Sequence, residues 1–377
     1  MQLSILQISI IAVTIAIALG GGIYAARSVH SAEGFSLGGR SAGVPMVAGT
    51  IAGTCIGGGA TVGTAQLAGT VGLSAWWFTI GTGLALVIMG LFYAKPLRGT
   101  ALETIAQYLV LNYGKGAGHF TTVVSSLGIF FSAVASCLPG IAILAALTGM
   151  PSWAAALALT VLVACYGFFG GLKSAGVGGM IKAAILWGSL FIAGILAWRA
   201  ISGDAALSAA LPAFPWFSLI GGGVQNALVG SIAGLSLGIG TMLTRGIFTK
   251  LFHVEGAASE LRLSRIVVLG VILAACAFSL ANEGSQVLFW NYLSMALRGG
   301  GIFLPLTVAV FRPHAVSARV ALMSMILSTL TAVVAAAMHT SVSPLFIGLG
   351  VSVITLLPGL FGGHHDDDDE QPVMAED

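Results

Sequence analysis

The sequence predicts an all-α protein that crosses a lipid bilayer many times. Three observations carry this expectation. Hydrophobic residues make up 57% of the 377 residues and charged residues 7%, with a mean hydropathy of +1.00, outside the range of water-soluble domains. Residues 41–94 and 120–172 hold no charged side chain. The apolar runs are continuous over roughly 20 residues, the length of a helical crossing, and lack the period of two that barrel strands require.

Taken in order, the chain offers about eleven spans, near 5–26, 44–70, 73–95, 117–148, 152–171, 180–201, 217–243, 264–282, 286–311, 317–338 and 342–361. Together they form one transmembrane domain, 1–361. The first lacks a basic leader and reads as a retained helix rather than a cleaved signal. The second, VPMVAGTIAGTCIGGGATVGTAQLAGT, carries seven glycines, three of them consecutive at Gly57, Gly58 and Gly59. Each costs about 1 kcal/mol relative to alanine inside a helix, so this helix is expected to break there. Membranes tolerate broken backbone only where protein or a wet cavity satisfies it, and such breaks bind ions and substrates in secondary transporters. The other reading of the same glycines is a close helix–helix seam with Gly49, Gly53 and Gly57 at four-residue spacing. Between 96 and 114 a short amphipathic helix is expected at the interface, with Leu102, Ile105 and Leu109 on one side. Pro139, Pro305 and Pro358 lie inside spans and should kink them.

Orientation follows from the basic residues. With the N-terminus outside, 13 of the 15 lysines and arginines fall in inner loops, leaving Arg199 and Arg298. Trp76, Trp77, Trp153, Trp198, Trp216 and Trp290 then lie at outer span ends, as an aromatic belt requires. The C-terminus falls inside, and the acidic stretch 362–377 reads as a solvated cytoplasmic tail.

Enzymatic chemistry finds no foothold. Seven of the 13 carboxylates lie in the tail, and the others (Glu33, Glu103, Asp204, Glu255, Glu260, Glu283) sit in loops or at span ends. Proton-coupled carriers usually load the proton on a buried carboxylate or histidine. An ion-driven mechanism here would therefore use backbone carbonyls and hydroxyls around Na⁺, with no further metal or cofactor. The GGGATVG run lacks the preceding strand and following GK[ST] of a phosphate cradle. The four cysteines, Cys55, Cys137, Cys165 and Cys276, stand singly in apolar runs and read as small buried hydrophobes. No feature suggests nucleic-acid binding.

Span 217–243 repeats the character of the second span, with Gly221, Gly222, Gly223, Gly230, Gly234, Gly238 and Gly240 beside Ser231, Ser236 and Thr241. Two glycine-interrupted spans in separate halves point to a transport site, and small-residue packing is the alternative. Arg298, in MALRGGGIFLP, is the one cation drawn well inside a span. It needs carbonyls or a substrate carboxylate as partner, unless the helix starts later and the side chain snorkels outward.

These stretches resemble the sodium:solute symporter family. The resemblance rests on GFSLGGRSAG (34–43), VAGTIAGTCIGGGATVGTAQLAGTVGLSAWWFTIG (47–81), AKPLR (94–98), CYGFFGGLKSA (165–175), GIGTMLTRGIFTKLF (238–252) with ELRLSRIVVL, and GGGIFLPLTVAVFRPHAVSARVALMSMI (299–326). It implies a LeuT-like bundle of two inverted five-helix repeats and Na⁺-driven uptake of a small organic solute, amino-acid-like or an organic acid. Carried over, the sodium site falls on Gly53 and Ile56 of the broken helix and on Ala227, Gly230 and Ser231. The substrate site falls on Gly57, Gly58, Gly59 and Ala60, with Arg298 as a candidate. The departures are specific. GSIAG keeps only Ser231 of a hydroxyl pair and acidic residue, and the Asp and Gln that commonly follow GGLK stand here as Gly179 and Lys182. Between Phe217 and Asn226 the family pattern jumps two helices, which leaves the second repeat incomplete. The alternative is therefore a shortened homologue that does not transport and serves a binding or structural role, or is an inactive product.

Overall fold

The computed structural model describes residues 4–27, 43–100, 102, 104–203, 217–220, 257–338, 340 and 342–361. Every regular element among them is helical. Six helical stretches there are long and apolar enough to cross a membrane: Ile5–Ala25, Gly59–Gly99, Ile105–Thr148, Ser174–Ala200, Val287–Phe311 and Ala318–Ala337. Shorter apolar helices cover Val44–Cys55, Ser152–Cys165, Arg265–Ala281 and Pro344–Leu360.

The chain forms two compact units. The first comprises Met1–Ala75, Ser136–Gly223 and Phe248–Ser285. Its helix α1, Ile5–Ala26, opens on a capping box in which Ser4 and Gln7 satisfy each other's backbone amides. Helix α2, Val44–Cys55, starts on Pro45, whose fixed φ suits a first turn and whose missing N–H costs nothing there. It ends at Ile56, where φ −86° and ψ 69° leave the helical region. The chain re-enters helix through a π-helical turn, Gly59–Gly63, and continues as α3, Thr64–Val71. The break expected at Gly57–Gly59 is present.

After a 3₁₀ turn, Gly72–Trp76, the second unit begins: Trp76–Ala135, Val224–Ile247 and Gln286–Asp377. Helix α4, Trp77–Ile88, passes through a π turn, Met89–Tyr93, into α5, Ala94–Gly99. Helix α6, Ile105–Thr148, carries a kink at Gly114, where φ 80° is open to glycine and strained for other residues. The kink separates the short amphipathic helix from the long span beyond. Its apolar face does not lie free at an interface, however. Ile105 and Leu109 are buried with Met89, Tyr113, Ile302 and Met325 in the core of this unit, while Leu102 is 40% exposed. The C-terminal part of α6 belongs to the first unit.

Helix α7, Ser152–Gly203, packs against α1 and α2 in the first unit and runs unbroken where the sequence suggests a loop near residues 172–179. Its apolar ends, Ser152–Cys165 and Ser174–Ala200, correspond to the two expected spans. Glycine disfavours a helix by only about 1 kcal/mol, so Gly170 and Gly171 do not suffice to end one flanked by long apolar runs. Helix α8, Ala257–Ala281, also packs on α7. Cys276 on α8 meets Cys137 on α6 at 3.6 Å between sulfurs, within a cluster that includes Ile141, Ala155 and Ala156. The cysteines are thus not all solitary, and Cys165 is exposed rather than buried.

The second unit closes with α9, Val287–Met295, a long π-helical segment, Ala296–Phe303, and α10, Leu304–Phe311. Helices α11, Ala318–Ala337, and α12, Pro344–Phe361, pack on the π segment and on each other. Pro305 falls where the π segment ends, which accounts for the distortion expected from a proline inside this span. Three tyrosines are stitched to this place. Tyr113 donates to the Pro305 carbonyl at 3.1 Å and Tyr108 to the Ala309 carbonyl at 3.2 Å, and Tyr93 shares a 2.9 Å bond with Thr307. Trp290 is buried against Phe131, with rings stacked at 5.7 Å, instead of standing in an aromatic belt. Trp76, Trp153 and Trp198 are exposed, as belt residues would be.

Candidate functional site

The break in α2 is the natural place to look for a site. An α-helix leaves its last four carbonyls without intrahelical partners, and its C-terminal end carries partial negative charge. Here those carbonyls belong to residues 52–55. The Ala52 carbonyl is taken by the Ile56 amide at 2.8 Å. Beyond the break the carbonyls are consumed locally. Gly57 accepts from the Thr61 amide at 3.2 Å and its hydroxyl at 3.1 Å, Gly58 from the Gly63 amide at 2.9 Å, and Gly59 from the Thr64 hydroxyl at 3.2 Å. Each of these three carbonyls thus already accepts at least one local hydrogen bond.

Gly53 is bound from α7. Lys182 donates its ammonium to the Gly53 carbonyl at 3.2 Å. The approach is possible because α2 and α7 meet along glycines. A Cβ on Gly179 would overlap the Gly49 carbonyl, and one on Gly176 would lie 2.9 Å from Met46 Cγ and 3.0 Å from Thr50 Oγ1. Small-residue seams of this kind let membrane helices touch backbone to backbone. Gly49 and Gly53 thus build a seam, and the helix breaks at Gly57–Gly59. Gly179 stands where the family commonly has an aspartate, and no carboxylate fits that contact. One turn further along α7, Lys182 reaches the end of α2. Earlier along α7, Ser174 donates to the Gly22 carbonyl of α1 at 2.5 Å.

The other residues expected at the site lie in and around the break. Ile56 is the residue at which α2 leaves the helical region, and a Cβ on Gly57 would lie 3.4 Å from Ser136 Oγ. Gly58 precedes the π turn as its cap, Gly59 opens it and is buried, and Ala60 follows within it. Ala227, Gly230 and Ser231, together with span 217–243 beyond residue 220 and the tail 362–377, lie outside the described residues.

Arg298 lies in the second unit, inside the buried π segment, and is 3% exposed. It does not snorkel. Its Nε donates to the Ser294 carbonyl at 3.2 Å and a terminal nitrogen to the Ser294 hydroxyl, which itself donates to the Gly128 carbonyl. Its stem lies on Gly128, where a Cβ would come within 2.8 Å of Arg298 Cγ. The sequence suggests carbonyl partners among the following glycines, and the structure supplies them one turn earlier instead. Among the described residues, no cluster of three or more His, Cys, Asp or Glu is placed to hold a metal ion.

A helix broken within an apolar stretch is a feature of secondary transporters built on discontinuous helices. Residues 35–213 match the family model of the sodium:solute symporter family. The high-affinity choline transporter 1 of Torpedo marmorata is 35% identical over 109 residues, which is 28% of this chain and 19% of that protein. The human high affinity choline transporter 1 is 33% identical over 105 residues, 27% and 18% of the two chains. The Drosophila melanogaster protein is 28% identical over 181 residues, 47% and 30%. The chain thus matches between about a fifth and a third of the length of these curated relatives. Among solved structures, a Na⁺-coupled sialic acid symporter in a substrate-bound outward-open state superposes with a TM-score of 0.66 over 93% of this chain and 96% of that one. At 14% identity, that likeness is one of fold.

Proposed function

We propose that this chain couples the entry of Na⁺ to the uptake of a small organic solute, amino-acid-like or an organic acid, by alternating access. The observation that carries the reading is the break in α2 at Ile56, which leaves the carbonyl end of a helix inside a run, 41–94, that holds no charged residue of its own. Na⁺ is held by carbonyls of Gly53 and Ile56 on one side and by Ala227, Gly230 and Ser231 on the other. The solute sits against Gly57, Gly58, Gly59 and Ala60, and Arg298 is the candidate counter-ion for a carboxylate. A membrane potential near 100 mV with a tenfold gradient supplies about 3.7 kcal/mol per Na⁺, enough for several-hundredfold accumulation. The bulk of the basic residues lies inside and the N-terminus outside. Reporter fusions or cysteine labelling at the two termini test that orientation.

The functional test is uptake into proteoliposomes under an inward Na⁺ gradient. The panel holds amino acids and organic acids, with choline and sialic acid added because the relatives and the structural neighbour carry those names. Uptake that collapses with the gradient and falls in Ser231→Ala supports the reading. No gradient-driven uptake of any panel member sinks it, and a non-transporting membrane homologue then takes its place.

A further inference from the structure

The Lys182–Gly53 contact puts a covalently attached cation on one of the oxygens assigned above to Na⁺. The carbonyl belongs to the C-terminal turn of α2, whose negative end attracts any cation, whether a free ion or an ammonium. Lys182 comes from a different helix, 129 residues along the chain, so the contact is not an accident of local geometry. It is delivered by the seam: Gly176 and Gly179 draw α7 onto α2, and Lys182 follows Gly179 by three residues on the same helical face. The side chain is also exposed, so it has room to leave. A four-carbon stem that snorkels can move its charge by several ångströms at little cost.

Two positive charges held on one carbonyl oxygen repel each other at that short range. We propose that Lys182 is a tethered competitor of the coupling ion. Its ammonium occupies the Gly53 carbonyl while the ion site is empty, and it must withdraw before Na⁺ binds. The lysine then sets the apparent affinity for Na⁺ without itself being carried across the membrane. It also keeps the helix end neutralised in the ion-free protein, when an unpaired carbonyl would otherwise be exposed in an apolar setting. The proposal rests on the assignment of Gly53 to the Na⁺ site.

The test is equilibrium binding of ²²Na⁺ to the purified full chain in detergent, comparing the wild type with Lys182→Gln, Lys182→Met and Lys182→Arg. Elution volume and thermal unfolding midpoint select the variants that fold, and the two neutral substitutions back each other up. A charge-assisted hydrogen bond removed from the competing state should tighten Na⁺ binding about tenfold or more in Lys182→Gln and Lys182→Met. Lys182→Arg, which keeps the charge, should bind no more tightly than the wild type. Binding that saturates but is unchanged or weaker in the neutral variants overturns the competitor role and leaves the Na⁺ site standing. Equal tightening in Lys182→Arg also overturns it, since charge would then not matter. If no folded variant binds Na⁺ saturably, the Na⁺ site at Gly53 falls and the proposal falls with it.

Discussion

A Cβ placed on Gly53 would lie 2.7 Å from the Cα of Gly179, so two helix backbones touch where most proteins interpose side chains. Overfilling such a contact costs typically about 1–3 kcal/mol. Gly179→Ala should therefore lower the thermal unfolding midpoint in detergent, and Gly179→Asp should lower it further by adding an unpaired charge. Gly188→Ala on the same helix has nothing within 4 Å of the new atom and serves as the control, neutral or slightly stabilising. A Gly179→Ala protein as stable as the control would mean the seam is not formed.

The tyrosine stitches in the second unit make a separate prediction. Tyr113→Phe removes the donor to the Pro305 carbonyl and keeps the ring. The loss should be about 1 kcal/mol, the net worth of one hydrogen bond. The same change at Tyr24, 75% exposed near the end of α1, should leave the midpoint where it was. Equal midpoints for all three proteins would show that the Tyr113 hydroxyl has no structural partner.

Cys137 and Cys276 give a chemical ruler for the packing of α6 on α8. With sulfurs 3.6 Å apart, mild oxidation with copper phenanthroline should join them within one chain. The linked peptides are detectable by mass spectrometry and should vanish in Cys276→Ala. A link within one chain from Cys165 to Cys137 or Cys276 would contradict the arrangement.

The break itself can be mended. Replacing Gly57 and Gly58 together by alanine favours a continuous helix by about 2 kcal/mol from propensity alone. The double variant should fold with an unchanged or higher midpoint and lose solute uptake. Full uptake by a stable double variant would show that the broken backbone is not used in transport.

Much of this was legible in the sequence, for definite reasons. Three consecutive glycines in an apolar run announce a helix end, and Ile56–Gly58 is where one falls. The kink at Gly114 was signalled by the change from an amphipathic pattern to a continuous apolar one. What stayed hidden depends on partners distant in the chain. The burial of Trp290 rests on Phe131, and its position at a span end gave no hint of that. Lys182 stood out in the sequence only as a departure from the family pattern, because helical spacing tells which face a side chain occupies, not which backbone the facing glycines admit. Arg298 was visible as an anomaly, yet its engagement by Ser294 and the Gly128 backbone needed the three-dimensional contact of α6 with the π segment. For Ala227, Gly230 and Ser231, uptake and binding measurements are the tests.

The π turns at Gly59–Gly63, Met89–Tyr93 and Ala296–Phe303 have a bearing on how this chain tolerates change. The latter two lie between helical segments, each a helix that has swallowed a surplus residue while keeping its two ends aligned. Deleting one residue elsewhere in a helix swings everything downstream through about 100° and scrambles which face meets which neighbour. Deleting Gly90, around which a side chain would find open space, should instead relax Met89–Tyr93 to ordinary helix and leave Lys95 and Arg98 facing as before. These turns are slack in the thread, the places where a residue can be lost without unpicking the weave.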